Sequence, residues 1–87
     1  MTKADRRAAI GAEVVRLMGE VRIRRHLSKN RLAQMTGLNQ STVSRLENHP
    51  DNPTFDSLLR VADALEINLG NVIKKAIENI EKSQTKK

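Results

Sequence analysis

Residues 28–48 read SKNRLAQMTGLNQSTVSRLEN, and this stretch decides the fold. It divides into two short helices joined by a tight turn at Gly37. Ser28 is suited to cap the first helix, because its hydroxyl can accept from the free N–H groups of the opening turn. Leu32 and Ala33 give that helix an inward face, and Gly37 ends it where a positive φ is needed. Asn39 is placed to cap the second helix, whose apolar positions are only Val43 and Leu46. Gln40, Ser41, Ser44, Arg45 and Asn48 share the opposite stripe. A helix anchored by two apolar residues, with amide, hydroxyl and guanidinium groups outward, is built to be read against a polar surface.

Working outward, 87 residues make one small domain whose core is marginal unless the helices pack well or the chain dimerises. Cysteine is absent, so disulfides and thiolate metal sites are excluded and a reducing compartment is compatible. No apolar run approaches the ~20 residues needed to span a bilayer, and the N-terminus lacks the apolar block of a signal peptide. A cytoplasmic protein without membrane contact is the expectation.

The formal net charge is +6, and its distribution is informative. Residues 1–31 hold nine Lys and Arg against three acids, whereas residues 32–87 hold seven of each. The excess therefore lies on the first helix and the start of the second, an asymmetry that suits a polyanionic partner. The alternative is a solvated basic face kept for solubility.

In chain order, residues 1–3 are expected to fray, and a long helix is expected over residues 4–25. Ile10, Val14, Leu17, Met18 and Val21 stand at helical spacing along it. Gly11 and Gly19 weaken that helix by up to ~1 kcal/mol each, so tertiary packing must hold it. Arg22 falls on the edge of the apolar face, where it is either exposed or paired, with Glu47 the nearest candidate. After residue 48, HPDNP (49–53) reads as a turn, since proline drives the preceding residue out of the α region. Thr54 is placed to cap a fourth helix with Phe55, Leu58, Leu59, Ala62 and Leu65 inward. Phe55, the only aromatic residue, reads as a core anchor, which argues against single-strand binding on aromatic platforms. Asn68 is placed to cap a fifth helix with Leu69, Val72, Ile73, Ala76, Ile77 and Ile80 inward.

The stretch at 28–48 resembles the helix-turn-helix of the Cro/XRE-type phage and bacterial repressors. Ala33, Gly37, Leu38, Val43 and Leu46 carry the match, which ends in SRLEN. The resemblance covers about residues 17–74. It implies an all-α, five-helix lambda-repressor-like DNA-binding domain with extended first and last helices. The single domain would occupy residues 1–82, with a disordered basic tail at 83–87. The resemblance also implies that Arg22 and Glu47 form a structural salt bridge clamping helix one to helix three. The sequence departs from the family's pattern at Lys29-Asn30-Arg31, where acidic residues are common. Cations there oppose the helix dipole, which is tolerable beside a phosphate.

The function implied is sequence-specific binding of double-stranded DNA by a transcriptional regulator, a repressor, acting as a homodimer on a two-fold operator. Such a regulator is bacterial or phage-encoded, and nucleoid-associated when bound. Gln40, Ser41, Ser44 and Arg45 are the candidates for reading base edges, since glutamine can pair with adenine and arginine with guanine in bidentate fashion. Ser28, Lys29, Asn39, Asn48 and His49 are candidates for phosphate contacts. Thr42 suits either a phosphate contact or a cap-side hydrogen bond. Leu69, Val72, Ile73, Ile77 and Ile80 either pack within one molecule against helix one or contribute to a dimer interface. LENHPDNPT followed by an amphipathic helix is also similar to HipB-type antitoxins of this family, which bind and neutralise a toxin protein and repress their own operon. A protein adaptor is disfavoured, because the reading face carries no large apolar patch. No catalytic constellation is evident: His26 and His49 lie apart without clustered carboxylates, so neither metal, cofactor nor enzyme activity is expected.

Overall fold

A computed structural model describes residues 1–48 and 53–85. Its described residues form five helices: α1 (Lys3–Arg24), α2 (Lys29–Thr36), α3 (Gln40–Asn48), α4 (Phe55–Leu65) and α5 (Leu69–Thr85). The first helix begins earlier than its frayed expectation. The Thr2 hydroxyl accepts from the Asp5 N–H at 3.0 Å, while the Asp5 carboxylate accepts from the Thr2 N–H, closing a capping box. At the other end, α5 continues through Thr85, so the backbone of residues 83–85 is helical rather than a disordered tail.

Val14, Met18, Leu32, Ala33, Val43, Val61, Ala62, Leu65, Leu69 and Ala76 make one core cluster to which all five helices contribute. Val15 is buried as well, although it lies one position off the expected stripe. The most extensive helix packing is α1 against α5. Arg6 meets Glu81 at 3.2 Å and Asn79 donates to Glu13 at 2.8 Å, while Leu17 and Val21 line a groove with Val72 and Lys75. These contacts run the two helices antiparallel and turn the inner stripe of α5 onto α1 of the same chain. Leu69, expected as a dimer contact, is only 7% exposed and belongs to the chain's own core.

The α4 stripe also departs from expectation. Phe55 is 64% exposed and Leu59 39% exposed, whereas Ser57, Val61, Ala62 and Leu65 are buried. At about 100° per residue, the buried set centres near Val61, and both Phe55 and Leu59 fall a quarter turn or more away. Phe55 therefore caps no core, and Val61, overlooked in the pattern, takes the inward position.

Two helix ends use non-glycine residues in the left-handed region, His26 (φ 58°) and Glu66 (φ 57°). Around Glu66, Ile67 N–H donates to Ala62 O and Glu66 N–H to Asp63 O, the paired bonds of a Schellman ending. Replacing Glu66 with glycine removes the Cβ strain of that conformation. Glu66→Gly should raise unfolding free energy by ~1 kcal/mol in chemical denaturation, with an unchanged denaturant slope.

Glu13 sits between α1 and α5, accepting from Arg16 at 2.7 and 2.8 Å and from Asn79. The hydrogen bonds from Arg16 hold its carboxyl below the usual carboxylate range, with smaller help from Asn79 and Arg16's charge, against the opposing effect of burial. Arg16, which also pairs with Glu20, is held further above its already high value by Glu13, but solvent screens most of that gain. A depressed carboxylate stabilises the fold above its unfolded pKa, and the contribution disappears as pH falls through the folded one. Acid titration of unfolding should therefore show a shallower loss of stability below about pH 4 in Glu13→Gln than in the parent chain.

Candidate nucleic-acid interface

The elbow between α2 and α3 is built from local rules. Ser28 Oγ accepts from Arg31 N–H at 2.9 Å, opening α2. At its far end Gly37 adopts φ 77° and donates to Ala33 O, the left-handed ending that glycine adopts without strain. Thr36, buried although polar, donates its hydroxyl to Ala33 O and accepts from Leu38 N–H. That lock was not anticipated from the sequence, where a threonine before glycine is unremarkable.

Asn39 then opens α3. Its Oδ1 accepts from Thr42 N–H, Thr42 Oγ1 and Ser41 Oγ, each at 2.8 Å. Thr42 is thus engaged on the cap side, Ser41 has its proton turned inward, and the amide nitrogen of Asn39 faces away from the cap. Ser44 accepts from Asn48 Nδ2 at 3.1 Å. Gln40 and Arg45 are different. Both are exposed, and among the described residues neither side chain makes a hydrogen bond or ion pair. His49 lies outside the described residues.

The back of α3 is fixed on two sides. Val43 is 1% exposed, in the core cluster with Leu32 and Ala33. Glu47 receives a forked pair from Arg22, Nε at 2.7 Å and Nη2 at 2.9 Å, while Arg22 Nη1 donates to Leu27 O at 2.7 Å. Both side chains are largely screened from solvent. One guanidinium thereby joins the end of α1, the turn into α2 and the last turn of α3. The small apolar pocket beneath, lined by Val15, Met18, Leu32, Val43 and Leu46 among others, holds about 20 Å³. That is far below the ~300 Å³ of a small-molecule site.

Electrostatics sharpen the reading. On α1, Arg6, Arg16 and Arg22 are each neutralised by a carboxylate. Among the described residues, Arg24, Arg25, Lys29 and Arg31 have no carboxylate partner. Arg25 donates instead to Leu65 O at the end of α4. Lys3 and Arg7, at the start of α1, also have no carboxylate partner among the described residues, so the uncompensated charge of the two helices divides between that end and the α1–α2 junction, where four of these cations stand beside the N-terminus of α2. No group of three or more His, Cys, Asp or Glu side chains that could hold a metal occurs among the described residues, and no helix there is long and apolar enough to cross a membrane.

A glycine-elbowed helix pair with an exposed polar face and a flanking cationic cluster defines a helix-turn-helix nucleic-acid-binding domain. Residues 18–74 match the Cro/C1-type HTH DNA-binding domain, and the chain belongs to that family. It is a DNA-binding family, not an enzymatic one. The chain is similar to the antitoxin HipB of Escherichia coli (strain K12), 30% identical over 57 residues. That match takes in 66% of this chain and 65% of HipB's length. No solved structure matches the chain at a significant level.

The Arg22–Glu47 fork can be weighed by a double-mutant cycle. Glu47→Ala strands a largely buried guanidinium and should lower unfolding free energy by on the order of 3 kcal/mol. Arg22→Met with Glu47→Leu should lose less than the sum of the single changes, with a coupling above ~1 kcal/mol in denaturant melts.

Proposed function

We propose that this chain is a transcriptional regulator, a repressor, that binds a two-fold symmetric operator as a homodimer. The observation that carries the reading is α3 itself: its back is held by Val43 and Glu47 while the exposed Gln40 and Arg45 side chains have no partner among the described residues. Long polar side chains kept free on a rigid short helix suit the bidentate acceptor and donor pairs of adenine and guanine in the major groove. Ser41 and Ser44 join them as base contacts through the lone pairs that their intramolecular bonds leave over. Ser28, Lys29, Asn39, Asn48 and His49 serve the phosphates, with Thr42 at the margin. Arg24 and Arg31 add to the phosphate-facing charge. Occupying promoter DNA would repress transcription.

One short recognition helix binds weakly by itself, and two-fold pairs of such helices read half-sites ~34 Å apart. The dimer contact falls to Val72, Ile73, Ile77 and Ile80, which keep part of their surface outside the chain's own packing. A cytoplasmic location with nucleoid association follows from this role.

Duplex binding measured at several salt concentrations tests the reading. The logarithm of affinity should fall linearly with the logarithm of salt, with a slope of about −0.9 per neutralised phosphate. Arg45→Ala and Gln40→Ala should each lose ~1–3 kcal/mol on the preferred site and little on unrelated duplex. A slope near zero would remove the DNA-binding reading altogether.

A second reading is favoured by the HipB similarity, which covers 66% of this chain. On it, the chain is the antitoxin of a toxin–antitoxin pair, binding and neutralising a toxin protein while autorepressing its operon. Co-purification of a toxin encoded beside the gene, with retained operator binding, separates this from a free-standing repressor.

A further inference from the structure

The α2–α3 elbow receives a contact from outside the motif. Thr36 O, one of the carbonyls left unpaired at the end of α2, accepts from Arg60 Nη1 of α4 at 3.0 Å. Arg60 is aimed by Asp56, whose Oδ2 accepts from Nε at 2.8 Å. The same Nη1 lies 3.3 Å from where a Cβ on Gly37 would stand. Gly37 therefore serves twice, accepting the left-handed turn and leaving room for the guanidinium. The Arg60 side chain is 47% exposed and Asp56 is 73% exposed, so their pairing contributes little to stability. Its geometry is nonetheless specific: the fork fixes the carbonyl immediately before the glycine on which the two helices pivot.

We propose that Arg60 is a positioning residue for base recognition, one that touches no DNA and acts by holding the elbow that aims Gln40. The inference rests on the base-reading role given to α3 above. Bidentate pairing with a base edge requires placement within ~0.5 Å, and a loosened elbow shifts the first turn of α3 by more than that tolerance. Phosphate contacts made by flexible cationic side chains orient the protein without reading sequence and follow such a shift. The loss of Arg60 thus appears as lost discrimination, not as lost general affinity.

Duplexes selected by the parent chain from a random pool supply the specific site, and a mixed-sequence duplex of equal length supplies the background. Parent chain, Arg60→Met, Arg60→Lys and Asp56→Asn are titrated against both at several salt concentrations, at a temperature where circular dichroism shows each one folded. Arg60→Met should lower the ratio of specific to background affinity about tenfold, within the range of one good base contact, with background affinity and salt slope unchanged. Arg60→Lys should recover part of the ratio, because an ammonium still reaches Thr36 O. Asp56→Asn, at an exposed carboxylate, should give a smaller fall in the same direction and carries the test alone if Arg60→Met does not fold. An unchanged ratio, or equal loss on both duplexes, overturns the assignment. A parent chain with no site preference overturns the base-reading role itself, and this inference with it.

Discussion

The guanidinium of Arg22 is the contact on which the rest of this structure depends. Its fork on Glu47 and its third bond to Leu27 O join α1, the α1–α2 turn and α3 through one side chain. Hydrophobic packing alone would hold α3 by little more than Val43 and Leu46, which permits rotation of so short a helix about its axis. A bidentate ion pair is directional where apolar contact is not. It fixes which stripe of α3 faces outward, and so places Gln40 and Arg45 in solvent.

The same device recurs at lower burial. Arg25 closes the end of α4 at Leu65 O, and Arg60 closes the end of α2 at Thr36 O. Helix C-termini carry unpaired carbonyls and partial negative charge, so an arginine from a neighbouring helix satisfies both. In a chain with a core this small, such links orient helices that apolar contact leaves underdetermined. They also divide the basic residues by task. Those paired with carboxylates or carbonyls build the fold, while Arg24, Lys29 and Arg31 leave a positive field at the α1–α2 junction.

In this Cro/C1-type domain the polar face of α3 is exposed but not uniform. Asn39 gathers the hydroxyls of Ser41 and Thr42 into the cap, and Ser44 with Asn48 bond each other, so their polar groups are partly engaged before any ligand arrives. Among the described residues, the side chains of Gln40 and Arg45 have no such partners. Short side chains engaged with one another thus flank two long ones that are unpaired among the described residues, and the unmet hydrogen-bonding capacity of this face is concentrated at those two positions.

How much of this was legible in the sequence depends on the range of the interaction. Ser28, Gly37, Asn39, Thr54 and Asn68 mark helix boundaries through contacts within four residues, and the structure uses each as a local stop or start. The polar stripe of α3 follows from helical periodicity alone. What periodicity left open was the angle at which each stripe meets its neighbours. Phe55 and Leu59 fit an apolar pattern on α4, yet the facing helices meet the side centred on Val61, leaving Phe55 in solvent. The inner face of α5 could serve a second chain or its own, and antiparallel packing on α1 turned Leu69 and Ala76 inward. Arg60 reads from sequence as half of an i,i+4 surface pair with Asp56; only the approach of α4 to the end of α2 brings it to Thr36. Local hydrogen bonding and periodicity are written in adjacent residues and so determined the helices and their polar faces. Packing angles arise from many distant contacts at once, and those the tertiary structure alone decided.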